Sequence, residues 1–263
     1  MKWLLLIGFC LAAPLLAQLT DSEKENFLLR AKVSRATTIG VGITQPLRAT
    51  LEAGGLTHDA HIQRADESSP VKYLPTGTEL NFRDYWGFNV AAYKLDRLLG
   101  LGMVPVTVAR KYRRSSASFA WWVDDVAMME LDRYQKNLVP PDLDAWNRQM
   151  AHVRVFNQLT YNTDPNLSNV LIDKDWKIWI IDYTRAFRIQ GHLLKPEGLT
   201  AIDRKLLDSM RAMTPDSVKA AMGDTLNKRE QRALLERRDK IVQMFEDKIA
   251  AQGADAVLYD EPR

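Results

Sequence analysis

The fold is predicted from one stretch, Asn162-Thr-Asp164-Pro-Asn-Leu-Ser-Asn169-Val-Leu-Ile-Asp-Lys-Asp-Trp-Lys-Ile-Trp-Ile-Ile181-Asp182. Residues 170–172 and 177–181 are rich in β-branched and aromatic side chains, which favour strands. The polar residues 173–175 between them are typical of a turn. The stretch is therefore predicted to form a β-hairpin centred near Lys174. The predicted cross-strand pairs are Ile172 with Trp176 and Val170 with Ile178.

Three oxygen-bearing side chains are expected to meet at the open end of this hairpin. Asn169 follows Asp164 by five residues, and Asp182 follows it by eighteen. Carboxylates placed together repel one another unless a cation joins them. A carboxylate that orients a hydroxyl, with an Asn and an Asp that hold magnesium, is the set that phosphoryl transfer requires in kinases. The alternative is a hairpin with Asp and Asn in ordinary turns, because Asp-x4-Asn alone is common by chance.

The first residues predict export. Lys2 precedes an uncharged apolar run over residues 3–12, and small residues follow up to Ala17. This pattern is typical of a signal peptide, here residues 1–17, and the run is too short for a comfortable membrane span. The chain is thus expected in the periplasm or outside the cell, with contact to a membrane only through this segment. The alternatives are a lipoprotein modified at Cys10 and a buried N-terminal helix of a cytosolic protein.

Composition excludes some classes of function. The chain has 263 residues and a net charge of +3, and Cys10 is its single cysteine. A mature chain without thiols has no disulfide framework, so its stability depends on a hydrophobic core. The one short basic run, at residues 110–114, is more typical of a solvated turn than of a nucleic-acid surface, and no nucleic-acid partner is expected.

The distribution of patterns along the chain predicts an α+β fold with two lobes. We expect a strand-rich N-lobe over residues 18–126 and a helical C-lobe over residues 127–263. Residues 66–77, with two prolines, are predicted to be a loop. Other expected elements are helices at 20–32, 88–99 and from 143, strands at 37–44, 47–51, 58–63, 104–108 and 118–123, and a last helix ending at Gly253.

A bound nucleotide would need backbone amides around its phosphates, a cation, and an apolar slot for its base. Gly40 and Gly42 could form a turn over the phosphates, and Trp122 could line the base slot. In kinases a lysine on the third strand pairs with a glutamate on the next helix. Here Gln63 and Asn89 occupy those positions, and the two side chains could hydrogen-bond to each other.

Two further questions stay open from the sequence. Arg64 or Lys72 could replace the missing lysine. A polar and aromatic group near the supposed cleft could contact an acceptor or simply pack. It comprises Asp84, Tyr85, Trp86 and Lys94.

Three segments carry a resemblance to a known family: residues 39–51, residues 89–105 and residues 164–182. They resemble secreted bacterial members of the atypical protein-kinase-like family, the group that includes HipA-type kinases, phosphatidylinositol kinases and the secretory-pathway Golgi casein kinases. The resemblance runs from about residue 36 to the C-terminus. This sequence departs from the family's pattern at Pro165, where Arg or His is common, and at Gln63 and Asn89, where the family has Lys and Glu.

The resemblance implies roles for the residues that match. Asp164 is implied to be the catalytic base, and Asn169 and Asp182 to be metal ligands. Gly40, Gly42, Gln63, Asn89 and Trp122 are the positions expected around the cofactor. That cofactor is implied to be ATP with Mg²⁺ or Mn²⁺, and the acceptor a hydroxyl group of a protein or carbohydrate.

Three hypotheses therefore follow from the sequence. The first is an exported kinase-like protein that binds a nucleotide–metal complex and transfers a phosphoryl group. The second is a catalytically impaired pseudokinase that acts as a binding or scaffolding module, which Gln63 and Asn89 favour. The third is an unrelated α+β domain whose motifs arise by chance.

Overall fold

The structure, a computed structural model, describes residues 19–40, 45–74 and 77–260. The predicted signal peptide with Cys10, and also Gly42, lie outside these residues.

The first half of the chain is rich in strands, as the sequence indicates. Strands β1, β2, β3, β7 and β6 form, in that order, one antiparallel sheet, and β4 pairs with β5 in a separate ribbon. Both helices of this half pack against β6 and β7. The elements are α1 Asp21–Arg30, β1 Lys32–Thr38, β2 Leu47–Ala53, β3 Leu56–Gln63, β4 Asp66–Leu74, β5 Gly77–Tyr85, α2 Gly87–Leu99, β6 Thr107–Tyr112 and β7 Ser115–Trp121.

Local signals set the ends of the helices in this half. Thr20 and Glu23 form a capping box at the start of α1, so two backbone N–H groups without helical partners are satisfied. Helix α2 ends where Gly100 adopts a φ of 74°, a left-handed conformation that glycine takes without steric cost. Both helices were predicted to within two or three residues.

The second half is mostly helical and contains a small sheet of order β10-β9-β8, all antiparallel. A short parallel pair, β11 and β12, lies near the C-terminus. The elements are β8 Val126–Met129, α3 Glu130–Gln135, α4 Leu143–Thr160, β9 Val170–Asp173, β10 Ile178–Ile180, β11 Ile202–Asp203, α5 Arg204–Ala212, α6 Pro215–Met222, α7 Lys228–Gln252, α8 Ala254–Val257 and β12 Leu258–Tyr259.

One hydrophobic core connects the two halves. It includes Phe119 from the first sheet, Phe156 and Leu159 from α4, and Ile178 from the hairpin, all fully buried. Burying a side chain of this size contributes roughly 1.5–3 kcal/mol. Residues 122–125 connect β7 of the first sheet with β8 of the second, so the described halves meet around this segment.

The prediction of a loop at residues 66–77 is wrong. Most of this segment belongs to the ribbon of β4 and β5, with Ser69 opposite Phe82 and Val71 opposite Leu80. Pro70 is tolerated because a two-stranded ribbon has open edges, where a missing N–H can face solvent. Proline therefore does not exclude a strand here.

The predicted register of the β9–β10 hairpin is also wrong, by two residues. Ile172 pairs with Ile178, and Val170 pairs with Ile180. The side chain of Asp173 explains the shift, because its Oδ1 accepts hydrogen bonds from the backbone N–H of Asp175 at 2.9 Å and of Lys177 at 3.0 Å. These bonds stabilise a turn longer than the one expected at Lys174.

Strand β6 begins later than the predicted strand at 104–108. The N–H groups of Met103 and Val104 donate to Asp96 Oδ1, at 2.9 and 3.2 Å, and Gly102 N–H donates to Asp96 Oδ2 at 3.1 Å. Backbone groups that bind a side chain in this way are not available to a strand ladder. Asp96 is fully buried and thus fixes the turn after α2. Two of the other predicted strands also shift: β1 lies mainly before residue 37, and β7 begins at Ser115.

Candidate functional site

The open end of the β9–β10 hairpin places Asn169 and Asp182 beside each other. Backbone N–H of Ile181 donates to the carbonyl oxygen of Asn169 at 3.0 Å, which continues the ladder one step beyond the paired strands. Asp182 follows directly with a φ of 57°. This left-handed conformation is uncommon for a residue other than glycine and often marks a functional constraint.

The loop after α4 brings Asp164 to the same place. The backbone N–H of Asp164 donates to Asn162 Oδ1 at 3.0 Å, so the Asn side chain fixes the loop. The carboxylate of Asp164 lies 3.5 Å from Arg185 Nη1, three residues beyond Asp182. Thr163 N–H and its hydroxyl both donate to the carbonyl oxygen of Arg185. The loop of Asp164 and the segment after Asp182 are therefore held together.

The electrostatics of Asp182 indicate a cleft. Surrounding protein atoms desolvate its carboxylate and so raise its pKa, and the charge of Asp164 raises it further. The hydroxyl of Thr184, which donates to Asp182 Oδ1 at 3.1 Å, acts in the opposite direction. Asp182 nevertheless remains exposed to solvent. A group that protein atoms enclose but solvent still reaches lies in a concave surface.

A buried carboxylate, that of Asp84, also belongs to this cluster. Asp84 lies near the end of β5 and is only 8% exposed. Burial raises its pKa, and the charge of Asp182 raises it further. The sequence indicated only that Asp84 lay near the cleft. Its place shortly before α2, the helix that carries Asn89, was the available signal.

Asn89 and Gln63 have structural partners. Asn89 Oδ1 accepts from the backbone N–H of Tyr183 at 2.7 Å, and its Nδ2 donates to Ser118 Oγ at 3.4 Å. Gln63 is buried, and its Oε1 accepts from the backbone N–H groups of Arg64 and Ala65 at 2.8 and 3.0 Å. Asn89 thus connects α2 to the residue after Asp182, while Gln63 fixes the end of β3.

The sequence left open whether Arg64 or Lys72 replaces the missing lysine. The guanidinium of Arg64 lies over the ring of Tyr112, with 5.9 Å to its centroid, and Lys72 forms an ion pair with Glu67. Within the described residues, the cation paired with Asp164 is Arg185. It binds Asp164, as described above, and Glu79 of β5 at 2.6 Å.

The expected nucleotide positions have mixed surroundings. Gly40 is exposed and has a φ of 73°, and the N–H of the preceding residue, Ile39, donates to the Pro46 carbonyl at 3.0 Å. Trp122 is half-buried, and the guanidinium of Arg48 lies 4.2 Å from its ring centroid. A base that stacked on this face of Trp122 would have to displace Arg48.

The four residues that could either contact an acceptor or simply pack differ in their surroundings. Lys94 packs against α1, where it pairs with Glu25 at 3.3 Å. The ring of Tyr85 packs at an angle against those of Trp86 and Phe88, with centroids 5.1 and 5.2 Å away. Of the four side chains, that of Asp84 lies beside Asp182 and Thr184 in the described part of the chain.

The donors fit a hard divalent cation of the Mg²⁺ class. Among residues 19–40, 45–74 and 77–260, no group of three or more His, Cys, Asp or Glu side chains is arranged to hold a metal. Mg²⁺ needs fewer protein ligands, because it commonly binds one or two carboxylates together with substrate phosphates and water. A buried oxygen of Asp84 with no described hydrogen-bond partner suits such an ion.

Over residues 19–40, 45–74 and 77–260, no helix is both long and apolar enough to cross a membrane.

Comparison with known proteins identifies the fold. No family model matches the sequence, and no curated protein sequence is significantly similar. Among solved structures, hydra Fam20 with sugar matches with a TM-score of 0.67 and 12% identity, over 92% of this chain and 93% of that one. The chain has an atypical protein-kinase-like fold. Its α+β architecture is bilobal, as predicted.

Two other kinase-like structures agree. The Golgi casein kinase with Mn/ADP bound matches with a TM-score of 0.63 and 12% identity, over 92% of this chain and 80% of that one. The Helicobacter pylori proinflammatory kinase CtkA matches with a TM-score of 0.53 and 10% identity, over 82% and 96%. The hypothesis of an unrelated α+β domain is therefore wrong.

Proposed function

We propose that this kinase-like chain binds a nucleotide together with Mg²⁺ or Mn²⁺ at the open end of the β9–β10 hairpin. We further propose that it transfers a phosphoryl group from the nucleotide to a hydroxyl group. The observation that supports this most strongly is the juxtaposition of Asp164 and Asp182, whose charges interact although eighteen residues separate them. The Mn/ADP complex of the Golgi casein kinase, which shares the fold, supports the same choice of ligands.

Each residue of the site has a role that its position suits. Asp182 and Asn169 would hold the cation, which when bound neutralises charge on the phosphates. Asp164, which is half-buried beside Arg185, would orient the attacking hydroxyl and accept its proton. Arg185, between Asp164 and Glu79, would hold the Asp164 carboxylate in place.

Binding is tested by thermal unfolding with and without MnCl₂ and ATP. We expect the ligands together to raise the melting temperature, because binding only the folded state stabilises it. The variant Asp182→Asn should lose this increase. Asp175→Asn is the matched control, because Asp175 is exposed in the turn at the other end of the same hairpin. No increase for the unmodified chain, or an equal increase for Asp182→Asn, would contradict the proposal.

A pseudokinase is the second candidate. It is favoured by Gln63, whose oxygen binds two backbone N–H groups and which carries no charge to position phosphates. The two candidates differ in turnover. Radiolabelled ATP with generic protein and carbohydrate acceptors should give transfer that Asp164→Ala abolishes if the chain is an enzyme. Metal-dependent nucleotide binding with no transfer, and no effect of Asp164→Ala, would favour the pseudokinase.

The acceptor and the cellular location are also proposals. A protein or carbohydrate hydroxyl is the proposed acceptor, and the hydra Fam20 structure with sugar supports testing carbohydrates first. Export is proposed from the apolar run at residues 3–12. Cell fractionation of the full chain should find the protein, shortened at its N-terminus, outside the cytoplasm. A full-length cytoplasmic protein would contradict export.

A further inference from the structure

Asp84 presents a carboxylate oxygen that the described structure leaves without a partner. The residue is 8% exposed, and no donor in the described part of the chain forms a hydrogen bond to its Oδ1. A buried charged oxygen without a hydrogen bond is costly unless a cation or a proton completes it. The neighbours of Asp84 therefore decide what it binds.

Those neighbours make the electrostatic potential at the Asp84 carboxylate more negative. Asp182 and Glu67 both repel its charge, and Arg185 is the cation that partly offsets them. Arg185 is already engaged by Asp164 and Glu79. The hydroxyl of Thr184 lies within hydrogen-bonding reach of both carboxylates, but it has one proton, which it donates to Asp182 at 3.1 Å. One hydroxyl cannot satisfy two carboxylates at once, whereas one cation between them would bind both.

Backbone contacts fix Asp84 against the segment that carries Asp182. Tyr85 N–H, next to Asp84, donates to the carbonyl oxygen of Thr184 at 2.8 Å. Tyr183 N–H, next to Asp182, donates to Asn89 Oδ1 at 2.7 Å. Each of the two Asp residues is thus followed by a residue whose backbone N–H is hydrogen-bonded to the opposite segment. Their proximity does not depend on a flexible loop.

We propose that Asp84 and Asp182 bind one divalent cation of the Mg²⁺ or Mn²⁺ class together. This proposal rests on the proposed function and adds a ligand from the strand-rich half of the chain. Asn169 lies beside Asp182 and completes a set of two carboxylates and one amide oxygen. Hard cations of this class bind such oxygen donors and fill their remaining positions with water or phosphate.

One consequence separates this proposal from simple binding of a metal–nucleotide complex. A pair of carboxylates already held together should bind Mn²⁺ in the absence of nucleotide. The bound ion would also connect the β5–α2 junction to the hairpin, so Mn²⁺ alone should raise the melting temperature of the full chain.

The experiment measures free Mn²⁺ by electron paramagnetic resonance during titration of the full chain without nucleotide. We expect one site, which Asp84→Asn and Asp182→Asn each weaken by about tenfold or more, at least as much as loss of an outer-shell group does. Asp66→Asn is the control, because Asp66 lies on the same ribbon but is exposed and paired with Arg83. Asp84→Asn should fold, because it keeps the shape of the side chain and removes repulsion from Asp182.

Each outcome is informative. If Asp84→Asn melts higher than the unmodified chain in chelator but gains less from Mn²⁺, the shared site is supported. If Mn²⁺ alone does not bind, or Asp84→Asn binds it as tightly as Asp66→Asn does, the proposal is overturned. In that case a thermal shift with Mn²⁺ and ATP that Asp182→Asn abolishes would leave the proposed function intact. Absence of that shift as well would refute both.

Discussion

Replacing Asn89 with alanine should loosen the connection between α2 and the segment that carries Asp182. In the folded chain Asn89 Oδ1 accepts from the N–H of Tyr183 at 2.7 Å, and Tyr183 is only 2% exposed. Without this acceptor a buried donor loses its partner, which costs about 1–3 kcal/mol. The second bond, which Asn89 Nδ2 donates to Ser118 Oγ at 3.4 Å, is long and therefore contributes less. We therefore expect Asn89→Ala to lower the free energy of unfolding by about 2–3 kcal/mol.

Urea unfolding measures this change, and Ser118→Ala is the control. Ser118→Ala removes only the long bond, so it should cost about 1 kcal/mol or less. A loss for Asn89→Ala no larger than that for Ser118→Ala would refute the assigned importance of the Tyr183 contact. Asn89→Ala should also weaken binding of Mn²⁺ and ATP, because its partner Tyr183 directly follows Asp182.

Two further predictions concern stability. Burial lowers the pKa of His61 to about 4 from 6.5, so the unfolded chain binds a proton more readily, and stability present above pH 6.5 should fall as the pH drops toward 4. Because His61 is only half-buried, we expect a loss of about 2 kcal/mol between pH 7 and 4.5, measured by urea unfolding. The loss should be smaller in His61→Asn, and an equal pH dependence in that variant would contradict the prediction. Arg237 is fully buried and donates to the carbonyl oxygens of Leu159, Arg188 and Gln190 at 2.7, 2.9 and 2.5 Å. Arg237→Met should cost about 3–5 kcal/mol, whereas Arg232→Met on the same helix should change little, and similar losses for the two variants would refute the role of these bonds.

Features that depend on local chemistry could be predicted from the sequence. The cap at Thr20, the left-handed Gly100 after α2 and the end of α7 at Gly253 need only a few neighbouring residues, and all three are present. The position of Asp182 at the end of a hairpin also follows from the period of the strands. For these features the sequence signal and the structural cause are the same residues.

Features that depend on a distant or competing partner could not be predicted. The register of the hairpin shifts because the Asp173 side chain binds the N–H groups of Asp175 and Lys177, which a rule for tight turns does not include. The start of β6 shifts because Asp96 of α2 binds residues seven and eight positions later. Asp84 belongs to the site only because the β5–α2 junction packs against Thr184. These contacts exist only in the folded chain.

The central claim is that Asp182, Asn169 and Asp164 form a site for a metal-bound nucleotide. Anomalous diffraction at the manganese edge, from crystals of the chain soaked with MnCl₂ and ATP, tests it most directly. We predict a manganese peak within coordination distance of Asp182, with the Asn169 side chain turned toward it. A structure with nucleotide and manganese absent from this end of the hairpin, or with manganese bound only elsewhere, would contradict the claim.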